Sequence, residues 1–347
     1  MIKEIKIGNK TIGQGNPVFI IAEAGVNHNG SLKTALKLID AAVMAGADAV
    51  KFQTFKAEDL VTNRGKMAKY QQINLGKSSS QLEMLKKLEL PTDFYKSLIK
   101  HCKEKGIIFL STPHGGFNSV DFLKGLSIPA YKFGSGDLTN LPVLKYAARS
   151  GIPMILGTGM ATLAEVKSAI NTIRKTGNNN IIVLHCTTNY PCPPNEVNLK
   201  AMSTMINELP VLVGYSDHTE GIQVPIMAAT LGACLIEKHF TLDRNMLGPD
   251  HKASLEPNEL KDMVDSIRRA SMILGTKIKM PNSSETSMIE NIRKSIVAAK
   301  NIKKGEIFTE KNLAIKRPGT GLSPRFWYKV LGKIAKRNFK NGEFIKT

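Results

Sequence analysis

At 347 residues the chain exceeds what one hydrophobic core usually holds, so a large domain followed by a smaller one is expected. Ordinary globular composition (42% hydrophobic, 28 Gly, 16 Pro) excludes disordered and fibrous classes, and no apolar run approaches the ~18 residues of a membrane span. The net charge of +19 admits anionic partners, but the lysines are spread along the chain without an Arg-rich arm or interleaved aromatics, which argues against nucleic acid.

The start, MIKEIKIGNK, lacks a signal-peptide core, and Cys102, Cys186, Cys192 and Cys234 form no CxxC pair, so a cytoplasmic protein with free thiols is expected. The first buried-strand pattern is Val18 to Gly25. Further strands are predicted at Ala49 to Thr54, Ile107 to Thr112, Ala130 to Gly136, Pro153 to Gly159, Ile181 to Thr187, Val211 to His218 and Cys234 to Phe240. Between them lie helix-period stretches such as Leu32 to Ala45, Phe94 to Lys105, Leu163 to Thr176 and Ile222 to Leu231. Strands apolar on both faces, each followed by a helix, predict an α/β fold, a (β/α)8 TIM barrel. A doubly wound sheet is the alternative, but EAGVNHNGS lacks the GxGxxG spacing such sheets carry after their first strand.

Residues 56–91 are too long for an ordinary strand-to-helix connection; QQINLGKSSS predicts a flexible loop before a short helix at Gln81 to Leu88. The predicted divisions are a barrel over 1–275, a linker over 276–286 and a small β-rich domain over 287–347, in which IKKGEIF is echoed by FKNGEFI.

Barrel enzymes draw reactive side chains from the C-terminal ends of strands. Those ends carry Glu23, Lys51 with Gln53, Thr112, Lys132 with Ser135 and Asp137, Thr158, Thr188 with Tyr190, Ser216 with His218, and Glu237 with His239. Any one of these suits a strand-end cap; together they point to an active site. His218 and His239 close consecutive strands and suit a borderline divalent cation acting as Lewis acid. Lys51 and Lys132 sit in apolar runs, so each needs an anionic partner, either a phosphate or a structural carboxylate.

The motifs EAGVNHNGS, VKFQTF, STP, YKFGSGD, LHCTTNYP, GYSDHT, IEKHFTLDRNMLGPDHKASLEP and KRPGTGLSP, in order over essentially the whole chain, resemble the sialic acid synthase family. That resemblance implies a barrel followed by an antifreeze-like (SAF, β-clip) domain, in a domain-swapped homodimer. It implies Mn2+, with Mg2+ or Co2+ as alternatives, on His218 and His239. Lys51, Lys132, Thr112, Ser135 and Ser216 would hold phosphoenolpyruvate; Gln53, Thr188, Tyr190, Asp250 and Arg317 would contact an N-acetylated hexose; and Glu23 would serve water addition to the intermediate. The resemblance makes Asp137, with Glu23 and Lys51, catalytic: it stands, one methylene shorter, where the family has a second acid, usually Glu, and Gly157 stands where many members have a phosphate-facing serine. The expected acceptor is N-acetylmannosamine, giving N-acetylneuraminate, on the strength of Asn291 and Arg293 as polar contacts supplied from the partner chain. The alternative is a 2,4-diacetamido-trideoxy sugar, giving N,N'-diacetyllegionaminate, toward which Thr188 points. A polyanion-binding barrel without catalysis is the competing class, and a deoxy-heptulosonate or deoxy-octulosonate synthase would not account for the tail.

Overall fold

The computed structural model describes residues 4–76 and 80–346, in two compact units, Met1–Gly275 and Thr276–Thr347. The first unit opens with an antiparallel hairpin, β1 (Glu4–Ile7) and β2 (Lys10–Gly13). Eight parallel strands follow and close into a barrel: β3 (Phe19–Gly25), β4 (Ala49–Thr54), β5 (Ile108–Pro113), β6 (Tyr131–Phe133), β7 (Met154–Gly157), β8 (Ile181–His185), β9 (Leu212–Asp217) and β10 (Leu235–His239). Closure is made by β10 against β3, in a register that sets His239 beside Glu23.

Every residue of β3 is buried, as a strand covered by helices outside and side chains inside must be. The helices between strands are α1 (Leu32–Met44), α2 (Ala57–Leu60), α3 (Lys69–Leu75), α4 (Gln81–Lys86), α5 (Phe94–Lys105), α6 (Gly116–Gly125), α7 (Leu141–Ala148), α8 (Leu163–Arg174), α9 (Leu199–Glu208), α10 (Gln223–Thr230) and α11 (Pro257–Leu274). Helix α1 starts where the Ser31 side chain accepts from the Thr34 N–H and buries Ala35, Leu38, Ile39 and Ala42 against the sheet. Helix α8 is opened by Thr162 and Glu165, each side chain bonding the other's backbone N–H.

Two differences from the predicted elements have clear causes. The β1–β2 hairpin was missed: Ile5, Ile7 and Ile12 pack with Phe19, Ile21, Leu110, Ile155, Ile182 and Leu235, a lower core layer of the barrel. Within QQINLGKSSS, residues Gln71 to Leu75 are the body of α3, which begins at Lys69 and ends on the left-handed Gly76; Lys77 to Ser79 lie outside the described residues. Among the described residues the insertion 56–91 thus holds three short helices with a core of their own, Met67, Met84, Leu85 and Leu88 packed with Val26, Phe55 and Ala57.

The second unit holds α12 (Ser283–Ile292), β11 (Ser295–Ala298), β12 (Leu313–Lys316) and α13 (Trp327–Val330). Helix α12 takes the end of the predicted linker, started by Asn282 and Glu285. Strands β11 and β12 pair antiparallel over a core that includes Ile296, Phe308, Leu313 and Phe339. The echoed segments meet at their first residues: Ile302 and Phe339 exchange both backbone hydrogen bonds at 2.8 Å. Among the described residues no helix is long and apolar enough to cross a membrane, and the four cysteines are free.

Candidate active site

The eight strand ends bring Glu23, Lys51, Lys132 and Glu237 into one buried quartet inside the mouth of the barrel. Lys51 Nζ lies 2.7 Å from Glu23 Oε2 and 3.7 Å from Glu237 Oε2, and donates to Thr112 Oγ1 at 3.0 Å. Lys132 Nζ is 3.2 Å from Glu237 Oε1, which also accepts from Ser216 Oγ at 2.9 Å. Gln53 Nε2 donates to Glu23 Oε1 at 3.3 Å. The lysines are thus paired with carboxylates here, the second of the two partners open to them in the sequence.

The two carboxyl groups are pushed apart. Burial would raise Glu237, but Lys132 and Lys51 override it and hold the group down to about 2. Burial raises Glu23 to about 7 against the pull of Lys51, with Glu237 adding to the rise. A group poised near neutral pH can carry or release a proton. With Glu23 protonated, two lysines face one carboxylate and the quartet is net cationic. Gly25 leaves the space for this crowding: a Cβ there would lie 3.4 Å from both Glu23 Oε1 and Gln53 Nε2, on a backbone at φ +53°.

His218 and His239 stand beside the quartet with ring centroids 5.7 Å apart. The Nδ1 of His218 donates to the Thr187 carbonyl at 2.6 Å; a carbonyl only accepts, so Nε2 keeps a free lone pair. The Nδ1 of His239 is buried without a hydrogen-bond partner. Burial depresses both imidazoles, His239 well below the usual range with help from His218. Two neutral imidazoles with free nitrogens are the donor set a borderline divalent ion takes. No group of three or more His, Cys, Asp or Glu is arranged to hold a metal among the described residues.

An ion pair that sequence reasoning missed sits at the matched register positions just before the histidines. Lys238 lies beside Asp217 in the β10–β9 pairing, and its buried ammonium bonds Asp217 Oδ2 and the Thr219 carbonyl. Asp217 also accepts from Tyr215 Oη and Thr219 Oγ1, both at 3.0 Å. The network ties the two histidine-bearing strand ends together.

The ring of Tyr190 lies 4.2 Å from that of His218 and 5.7 Å from that of His239. Behind it Tyr70, from the insertion, stands 5.3 Å away and donates to Asp250 Oδ1 at 3.5 Å. Burial raises the Asp250 carboxyl to about 6, and Tyr70 opposes the rise. Tyr70 was not among the expected residues; only its place in a long insertion at the catalytic face signals it.

Ser135 Oγ accepts from the Gly159 N–H at 3.0 Å and meets Cys186 Sγ at 3.2 Å. A Cβ on Gly157 would lie 3.0 Å from Ser135 Oγ, and one on Gly159 would strike Thr188 Oγ1 at 2.1 Å. Ser135 therefore fills the corner where a serine at 157 would project. Asp137 turns to another partner: its carboxylate lies 3.5 Å from His114 Nδ1, and it accepts from Asn140. Thr158 is capped structurally, its hydroxyl donating to the Leu184 carbonyl at 2.8 Å. Arg317 belongs to the second unit, exposed, with Nε donating to the Ile292 carbonyl at 3.1 Å.

Residues 38–279 match the NeuB family and residues 293–347 match the SAF domain. The chain is 52% identical, over 94% of its length and 98% of the relative's, to the N,N'-diacetyllegionaminic acid synthase of Campylobacter jejuni. It is 45% identical to that of Legionella pneumophila, over 96% of this chain and 95% of that one. The crystal structure of N-acetylneuraminic acid (sialic acid) synthetase from Leptospira borgpetersenii superposes with a TM-score of 0.74 at 36% identity, covering 83% of this chain and 95% of that one.

Proposed function

This chain belongs to the NeuB family of nonulosonate synthases, and from that premise we propose that it condenses phosphoenolpyruvate with 2,4-diacetamido-2,4,6-trideoxymannose to give N,N'-diacetyllegionaminate and phosphate. The observation that carries the reaction class is the buried quartet of Lys51, Lys132, Glu23 and Glu237 beside two neutral histidines. What favours the diacetamido acceptor over N-acetylmannosamine is the 52% and 45% identity to two diacetyllegionaminic acid synthases, against 36% to a sialic acid synthetase. Asn291 and Arg293 are both exposed in the second unit and, within one chain, do not separate the two acceptors.

The phosphate and carboxylate of phosphoenolpyruvate are bound by Lys51 and Lys132 with Thr112, Ser135 and Ser216, the lysines exchanging part of their carboxylate pairing for the substrate. His218 and His239 would hold a divalent ion, Mn2+ by preference, and such an ion would supply Lewis-acid polarisation of the sugar aldehyde. Gln53, Thr188, Tyr190 and Asp250 orient that sugar. C3 of phosphoenolpyruvate forms the new bond to the aldehyde carbon, whose oxygen takes up a proton. Water then adds at C2 and phosphate departs with cleavage of the C–O bond, leaving the 2-oxo acid. Glu23 exchanges the proton of that water. Arg317 is assigned to the sugar of a partner subunit's site in a homodimer.

The test is a competition between the two acceptors at equal concentration, with metal-stripped enzyme and with Mn2+ restored. The diacetamido sugar should win in kcat/KM by more than about tenfold, roughly 1.4 kcal/mol, and only with metal present. A preference for N-acetylmannosamine would overturn the acceptor, and full turnover by stripped enzyme would overturn the metal.

A further inference from the structure

Asn27, Asn29 and His251 take no part in the proposed reaction, yet through them the fold fastens the turn after β3 to the segment that carries Asp250. Asn29 Nδ2 donates to the Leu247 carbonyl at 3.0 Å, which leaves Asn29 Oδ1 to face His251 Nε2 at 3.4 Å. Burial holds the His251 imidazole down to about 4, so at neutral pH the ring carries one proton. That proton on Nε2 meets the Asn29 oxygen, and the bare Nδ1 accepts from the Thr241 hydroxyl at 2.6 Å. Gly248 sits inside this clasp: a Cβ on it would lie 2.5 Å from His251 Cδ2 and 3.0 Å from Asn29 Oδ1.

The backbone on both sides of Asp250 is pinned as well. Asn74 donates to the Pro249 carbonyl at 2.6 Å. Ser254 Oγ donates to the Asp250 carbonyl at 2.6 Å and accepts from Asn27 Nδ2 at 3.0 Å. The Asp250 carboxylate borders a cavity shared with Gln53, Tyr190 and His239, and accepts a long hydrogen bond, 3.5 Å, from Tyr70. A carboxylate aimed chiefly by its backbone keeps its oxygens for a ligand and depends on its loop for direction. We infer that Asn29 and His251, closed around Gly248, are positioning residues that hold the Asp250 carboxylate at this cavity for the acceptor sugar. This rests on the sugar-orienting part given to Asp250 above and names the residues on which that part depends. Misplacement of a binding group by about 1 Å can cost ~10²-fold, which sets the size of the effect.

Asn29 lies at φ +51°, where glycine fits without strain, so Asn29→Gly removes the amide and spares the turn. It should lower kcat/KM for the acceptor by about 10- to 100-fold, through KM, with the KM for phosphoenolpyruvate unchanged. His251→Phe, which keeps a flat ring without its nitrogens, is the second variant, with circular dichroism reporting the folding of each. Each change is repeated in an Asp250→Asn enzyme, where it should add less than about twofold, because residues that act through one group are not additive. Both the diacetamido sugar and N-acetylmannosamine are used, so the result does not hang on which is preferred. A kcat/KM unmoved in folded Asn29→Gly or His251→Phe enzyme, an equal rise in both KM values, or a full additional loss in the Asp250→Asn enzyme overturns the clasp. Asp250→Asn alone reads the underlying assignment. Wild-type kcat/KM in that variant removes Asp250 from the sugar, whereas a large loss there with Asn29→Gly silent leaves Asp250 in its part and overturns the clasp alone.

Discussion

At the scale of single residues, Glu23 stands out because its surroundings split it from Glu237. Both are buried carboxylates a few ångströms from the same lysine, yet one is held ionised and the other sits near neutrality. Glu237 has both lysines and the Ser216 hydroxyl, while Glu23 has Lys51 and the weaker Gln53 amide. In the proposed reaction Glu23 is therefore assigned the proton carrier's part, and Glu237 that of a fixed counter-charge to the lysines. Glu23→Gln should lower kcat by ~10² to ~10⁴-fold, the usual worth of a positioned acid or base, with the affinity for phosphoenolpyruvate retained. Isothermal titration with phosphoenolpyruvate and steady-state kinetics separate the two effects; a kcat within threefold of wild type would contradict the role. The position of Glu23 was legible in the sequence as a carboxylate ending an apolar run. Its distinction from Glu237 was not, because burial and the two lysines arise only on barrel closure.

At the scale of elements, the pairing of β9 with β10 decides where the histidines sit. Lys238 and Asp217 are both almost fully buried, and removing one partner of such a pair leaves an uncompensated charge worth about 3–5 kcal/mol. Lys238→Met should cost that much in urea unfolding, whereas Lys238→Met combined with Asp217→Leu should recover most of it. A single variant as stable as wild type would mean that the pair does not brace these strand ends. The sequence showed Asp217 and Lys238 only as neighbours of histidines. Their pairing across 21 residues of chain depends on register. The insertion is the other element whose character was misread, since QQINL is polar on its surface and its helical packing partners, such as Pro249, come from distant segments. Asn74 Nδ2, for example, donates to the Pro249 carbonyl at 2.6 Å.

At the scale of the whole molecule, the two units have separate cores, the barrel's main cluster running from Ile20 to Ile267 and the second unit's from Ile296 to Ile345. Ending the chain at Gly275 should therefore leave a cooperatively unfolding barrel that binds phosphoenolpyruvate and uses the sugar poorly. If Arg317 serves a partner's site, mixing Arg317→Ala with His239→Ala protein should restore, after subunit exchange, a clear fraction of wild-type activity. Each mixed dimer would then hold one site with both residues. No recovery despite exchange shown by mass spectrometry would place Arg317 in its own chain's site.

The sequence by itself determined the eight strands and their helices, because a strand covered on both faces must be apolar throughout and a helix covering it must be apolar on one side. It also determined which residues stand at the strand ends, since those positions follow from where each apolar run stops. Its Gly-Asn turn between Ile7 and Lys10 carried the missed hairpin as well, in a pattern that alternates with period two. Only the tertiary structure decided which charges meet. Lys51 could have awaited phosphate alone, and Asp137 could have joined the quartet, but closure of the barrel set Lys51 between two glutamates and turned Asp137 toward His114. Interaction energies of charges depend on distance and burial, and neither is written along a chain until residues as far apart as Glu23 and His239 become neighbours.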